Sequence, residues 1–150
     1  MNKKSTTELE KVLKSTHPEN IESYYAEEDE NLYDEDRSFR GFIKGSIKGK
    51  KTLHEVFYAA DINEGYGYKL LSGEKHTNKR DVILRLCIAS EMDLKETQTA
   101  LKLYGFSPLY AKIKRDALLM SAINEKMSIE RINDLLKMKG FAVLEECGTL

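Results

Sequence analysis

Residues 79–109 read KRDVILRLCIASEMDLKETQTALKLYGFSPL, and residues 114–144 read KRDALLMSAINEKMSIERINDLLKMKGFAVL. At a constant offset of 35, Lys79-Arg80-Asp81 falls on Lys114-Arg115-Asp116, Ile83-Leu84 on Leu118-Leu119, Ile88 on Ile123, Met92 on Met127 and Leu94 on Ile129. The match runs on through Leu101-Lys102 on Leu136-Lys137, Gly105-Phe106 on Gly140-Phe141 and Leu109 on Leu144. In each copy the apolar residues recur at helical spacing. Asp93 and Ser128 are placed to cap a second helix, and the glycines stop it. Each unit therefore reads as helix, cap, helix, glycine stop and apolar tail, with the period of helical-hairpin repeats. One hairpin cannot cover its own apolar face, so the two copies are expected to pack on each other. Phe106 and Phe141 should fold back on the helix they follow. The Arg-Asp pairs lie at helix starts, where Asp favours the dipole, and are expected to form a structural ion pair or cap.

Around this repeat the composition points the same way. The chain has 150 residues with only 2 Pro, enough to bury an ordinary core and indicative of an all-α protein. No apolar run approaches the ~20 residues of a membrane helix, and Met1-Asn2-Lys3-Lys4-Ser5 leads into charge rather than a secretion signal. Cys87 and Cys147 lie in no paired motif, which fits a reducing, cytoplasmic setting. The net charge of −1 conceals an asymmetry: residues 1–36 carry 4 Lys against 11 Asp/Glu, residues 37–80 carry 10 Lys/Arg against 4 Asp/Glu, and residues 81–150 balance. A basic stretch beside an acidic arm suggests an anionic partner whose access the arm regulates, or a solvated surface with a loose tail.

In the acidic arm, Thr7-Glu8-Leu9-Glu10 reads as a capping box starting a helix with Leu9, Val12 and Leu13 on one face, and Pro18 ends it. Ile21, Tyr24 and Tyr25 suggest a second short helix, and the run from Glu27 to Asp36 is too charged to bury much. Residues 37–78 predict three helices. The first spans Ser38 to Lys48 with Phe39, Phe42, Ile43 and Ile47 inward; a second starts at the box Thr52-Leu53-His54-Glu55; a third runs from Glu64 to Leu71 after an N-cap Asn63 and stops at Ser72-Gly73.

Thr52 to Lys75 resembles a helix-turn-helix. Ile62 stands at the buried position of the turn, Tyr66 and Leu70 on the inner side of the second helix, and Leu70-Leu71-Ser72-Gly73-Glu74-Lys75 closes it. With Tyr66-Gly67-Tyr68, Lys79-Arg80-Asp81, Leu101-Lys102-Leu103, Leu109-Tyr110 and Lys114-Arg115-Asp116, the chain is similar to the lambda-repressor/Cro class, the xenobiotic-response-element (XRE) family of bacterial regulators. The similarity extends to a Firmicute subgroup with a C-terminal helical repeat and covers roughly residues 38–103. It implies a Cro/lambda-repressor-like helix-turn-helix bundle extended by the tandem repeat. Residues 1–36 would be the arm, 37–78 the helix-turn-helix core, 79–113 the first repeat, completing the bundle, and 114–150 the second. It further implies that helix 63–71 lies in the major groove of double-stranded DNA, with Asn63, Glu64, Gly65, Tyr68 and Lys69 facing it. Lys69, Lys75, Lys79 and Arg80, with Lys44, Lys48, Lys50 and Lys51, would meet phosphates. A homodimer would suit paired half-sites, and residues 79–150 are the candidate surface for it or for a protein partner.

The sequence departs from DNA-reading members at Leu53, often Gln there, and at Glu64, often basic or small and polar. No Arg, the commonest guanine reader, lies in the candidate reading helix. A protein-interaction adaptor with the same fold and no sequence-specific DNA binding is therefore the competing expectation. No catalytic, cofactor or metal site is expected. His17, His54 and His76 are far apart in sequence, the glycines form no phosphate loop, no Ser or Cys sits in a nucleophile motif, and the acidic run is no calcium loop. Met92, Met120, Met127 and Met138 read as core filler.

Overall fold

A computed structural model describes residues 4–28 and 38–148. The described residues are helical and strand-free. The chain divides into two compact units, residues 1–35 and 36–150.

In the first unit, α1 spans Thr6–Lys14 and α2 spans Ile21–Glu27, with a 3-10 turn at Pro18–Asn20 between them. The cap of α1 is Ser5, whose Oγ accepts the Glu8 N–H at 3.2 Å, so the Thr7/Glu10 box expected from sequence is not the one used. Ser5 and Glu8 stand in the same i, i+3 relation two residues earlier, and either start serves the apolar stripe. Tyr24 is buried, and Glu28, 3 % exposed, is ion-paired with Lys4. The acidic run beyond Glu28 lies outside the described residues.

The second unit contains α3 (Phe39–Ile47), α4 (Leu53–Ala60), α5 (Glu64–Ser72), α6 (Arg80–Ala89), α7 (Leu94–Tyr104), α8 (Lys114–Asn124) and α9 (Ile129–Met138). The expected inner face of α3 holds: Ile43 and Ile47 are buried, and Phe39 and Phe42 pack on the core. At the centre is α6, buried at every residue from Asp81 to Ala89. Helices α4 and α7 pack most extensively on it, and α3 bridges α7 and α5.

The 35-residue period is visible bond by bond. Asp93 and Ser128 cap α7 and α9, accepting from Glu96 and Arg131 N–H. The turns before them place Glu91 and Lys126 at φ 58° and 53°, and Gly105 and Gly140 follow the second helices at φ 110° and 82°, where a glycine avoids the strain of a Cβ. Gln98 Oε1 accepts the Leu109 N–H at 2.8 Å, and Asn133 Oδ1 accepts the Leu144 N–H at 2.9 Å. The Arg-Asp pairs join the copies reciprocally. Arg80 donates twice to Asp116 (2.6 and 3.1 Å), and Arg115 donates twice to Asp81 (2.9 and 3.2 Å). Each carboxylate also accepts a tail N–H, Asp116 from Tyr110 and Asp81 from Glu145. The planar fork of Arg suits two parallel bonds to one carboxylate. A second expectation fails: Met138 is 73 % exposed rather than core filler, and its counterpart Leu103 also faces outward, because both stand on the outer side of the last helical turn before a glycine.

Candidate nucleic-acid interface

Helices α4 and α5 are set by local chemistry. Thr52 and Glu55 close a full capping box at the start of α4. The helix ends in left-handed Asp61 (φ 56°), and the Ile62 N–H returns to the Phe57 carbonyl at 3.0 Å. Ile62 drops into the core at 5 % exposure, and Asn63 then caps α5 by accepting the Tyr66 N–H at 3.2 Å.

Close packing of the two helices depends on Gly67. A Cβ there would stand 2.5 Å from the ring of Phe57, itself 1 % exposed. Leu70 and Leu71 complete the buried side of α5, with Tyr66 half-buried. On the other side Asn63, Glu64, Gly65, Tyr68 and Lys69 are all exposed. The Tyr68 ring meets Phe57 edge-on at 5.1 Å. Glu64 Oε2 lies 3.0 Å from His54 Nδ1, which ties the head of α5 to the first turn of α4 and holds an acid where the helix dipole favours one.

The expected phosphate-binding cations fall into two groups. Lys44, Lys48, Lys50, Lys69 and Lys75 are exposed to solvent. The others are engaged within the chain: Lys51 donates to the Ala89 carbonyl (3.2 Å) and lies 3.5 Å from Glu91, Lys79 donates to the Glu146 carbonyl (3.2 Å), and Arg80 is held by Asp116.

Two residues escaped the sequence reading. Arg85, 3 % exposed, donates to the carbonyls of Ala60 (3.2 Å), Leu144 (2.9 Å) and Glu145 (2.8 Å), tying the end of α4 to the C-terminal segment. Its counterpart in the second copy is Met120, so the repeat itself gave no signal. Arg40 escaped because it lies on the outer face of α3, whose apolar pattern drew the reading inward. With Lys44 and Lys69 it lines an open cleft of about 220 Å³ between α3 and α5. Among the described residues no cluster of His, Cys, Asp and Glu could hold a metal ion, and no helix is long and apolar enough to cross a membrane. Cys87 and Cys147 are free thiols. Comparison of the chain with protein-family models, curated proteins and solved structures finds no match.

Proposed function

We propose that this chain is a double-stranded-DNA-binding protein, a bacterial transcriptional regulator of XRE type acting in the cytoplasm. Its fold is then a Cro/lambda-repressor-like helix-turn-helix bundle, with α4 and α5 as the motif, extended by the tandem repeat. In this reading α5 enters the major groove. The observation that carries it is the division of α5 into a buried side (Gly67, Leu70, Leu71) and an exposed one (Asn63, Glu64, Gly65, Tyr68, Lys69). A groove-reading helix must be gripped on one side and offered on the other. The Nδ2 amide of Asn63 can address a base edge while Oδ1 caps the helix. Lys44, Lys48, Lys50, Lys69 and Lys75 supply phosphate contacts; Lys51, Lys79 and Arg80 contribute less, because each is engaged internally. A homodimer would place two such helices in half-sites one helical turn apart.

A second reading keeps the fold and makes the chain a protein-interaction adaptor through residues 79–150. It is favoured by the acid fixed at the head of α5 by His54 and by the sequence pI of 6.3, low for a nucleic-acid binder.

The deciding experiment is fluorescence anisotropy with DNA from the region upstream of the protein's own gene, across a salt series. Selective binding is expected, with Lys69→Ala weakening it and lowering the slope of log K against log salt by about 0.9 for one lost phosphate contact. Absence of selective binding even at low salt rejects the regulator and favours the adaptor.

A further inference from the structure

The loop that enters α8 and the segment that follows α9 meet at the first turn of α8. The Tyr110 N–H donates to Asp116 at 2.9 Å, and the Ile113 N–H donates to the Tyr110 carbonyl at 3.0 Å. From the same turn the Arg115 guanidinium donates to the carbonyls of Ala142 (3.1 Å) and Val143 (3.4 Å). Three apolar side chains around it stand in solvent: Tyr110 at 53 %, Ile113 at 50 % and Val143 at 44 % exposure. The repeat supplies an internal control. At the entrance to α6, the counterparts of Tyr110 and Ile113 are Lys75 and Asn78, so the hairpin itself does not require an apolar surface there. Clustered exposed apolar residues with a polar rim mark an interaction surface.

The rim carries opposite charges on its two stretches of chain. Lys112 and Lys114 flank Ile113, and Glu145 and Glu146 follow Val143 and the buried Leu144. All four charged residues are exposed, and their side chains make no hydrogen bond or ion pair among the described residues. The nearby Lys79 ammonium is engaged by the Glu146 carbonyl, and Arg115 and Asp81 neutralise each other. A patch with cations on one stretch and anions on the other is complementary to itself. A two-fold axis through its apolar centre sets the lysines of one copy against the glutamates of the other, twice over.

We infer that this patch is the interface of a two-fold homodimer, with Tyr110, Ile113 and Val143 at its centre and Lys112 and Lys114 of one copy facing Glu145 and Glu146 of the other. It deepens the homodimer of the proposed function and rests on that reading only for the use of the dimer, which is to present two α5 helices. The test contains no DNA, so its failure and a failure to bind DNA are separate results.

The full chain is sedimented over a concentration series at low and high salt, with reductant present so that Cys147 cannot link copies. A reversible monomer–dimer equilibrium is expected, weakening as salt screens the rim. Two doubly substituted chains, Lys112→Glu with Lys114→Glu and Glu145→Lys with Glu146→Lys, should each dimerise at least about tenfold more weakly, because the facing pairs become like charges. An equimolar mixture of the two should recover the wild-type affinity, since every facing pair is again of opposite sign. Ile113→Asp should also lose the dimer; Ile113 stands at the N-cap of α8, where aspartate is favoured, so the urea midpoint should hold or rise. A chain that stays monomeric throughout overturns the inference and leaves the patch to a different protein, as the adaptor reading would have it. A dimer indifferent to Ile113→Asp, or reversed chains whose mixture stays monomeric, overturns it as well.

Discussion

Replacing Asp116 with Ala tests the reciprocal ion pairs directly. Asp116 is 1 % exposed and accepts two bonds from Arg80 and one from the Tyr110 N–H. Removing one partner of a buried pair costs about 3–5 kcal/mol, chiefly because the other charge is left without compensation. The Arg80 side chain keeps 26 % of its surface in water, which places the loss near the lower end. The expected loss is therefore about 3 kcal/mol, or roughly 6–12 °C in Tm at about 2–4 °C per kcal/mol for a chain of this size. Asp81→Ala should cost a similar amount, since it releases Arg115 and the Glu145 N–H in the same way. Replacing both members, Arg80→Met with Asp116→Leu, should cost less than Asp116→Ala alone, because no charge is stranded. Urea unfolding followed by circular dichroism at the helical minimum measures all three variants against the wild type. A loss under about 0.5 kcal/mol for either Asp variant, the range of ordinary surface substitutions, refutes the assignment of these carboxylates as the join between the copies.

Gly67→Ala should destabilise by about 1–2 kcal/mol: the methyl 2.5 Å from the Phe57 ring costs about 1–3 kcal/mol of overpacking, against up to ~1 kcal/mol gained in helix propensity. Gly65→Ala, whose nearest contact is Asn63 Oδ1 at 3.2 Å on the exposed side, should be neutral or slightly stabilising in the same denaturation assay, and equal effects at the two glycines would reject the α4–α5 contact. Burial pushes the Cys87 thiol up to about 12 from 9.0. The folded state thus holds its proton where the unfolded chain releases it, so this contribution to stability is complete below pH 9 and is lost as the pH rises towards 12. Denaturation midpoints at pH 8 and 10.5 should differ less in Cys87→Ala than in the wild type, and an unchanged pH dependence would show that the thiol is accessible. Deleting residues 1–36 removes a net charge of −7 and should tighten DNA binding at low salt, with the gain fading as salt screens it; equal affinity for both chains across the series would exclude the arm as a regulator.

The local fold was legible wherever a short-range rule decides it. The Thr52/Glu55 box, the Asn63 and Asp93 caps, the glycine stops and the helix periods all act within four residues, and the structure uses each of them. The Thr7 box failed on the same scale, because Ser5 offered an equivalent cap to the same apolar stripe. Tertiary partners were less legible. The repeated Lys-Arg-Asp triplet announced an ion pair or a cap but did not show that each Arg crosses to the other copy's Asp. Arg85 reads as a surface residue from its type, yet burial with three carbonyls gives it a structural place that only the packed fold reveals. In the candidate interface the sequence marked the exposed face of α5 but did not separate solvent-facing cations from Lys51, Lys79 and Arg80, since that separation depends on carbonyls and carboxylates distant in the chain.

The way the copies close on each other bears on what holds α4 and α5. In an open stack each repeat leaves one face for the next. Here Asp116 accepts from the first copy's tail and Asp81 from the second copy's tail, so both sets of contacts are consumed within the pair. The copies then diverge where their surroundings differ. Buried Leu86 and Ala89 of α6 become exposed Ser121 and Asn124 in α8, the polar outer face expected of a terminal unit. The first copy therefore supplies the platform on which α4 packs, and the second acts through its tail, whose Leu144 and Glu145 carbonyls share the Arg85 guanidinium with Ala60. The last turn of α4, and through the Phe57–Gly67 contact the pose of α5, is thus braced by both copies. On the proposed DNA-binding reading α5 presents five residues to a groove at fixed angles and needs such bracing, because loose placement of contacting groups forfeits their energy. The repeat, the least DNA-like part of the sequence, is in this account what makes the candidate interface rigid.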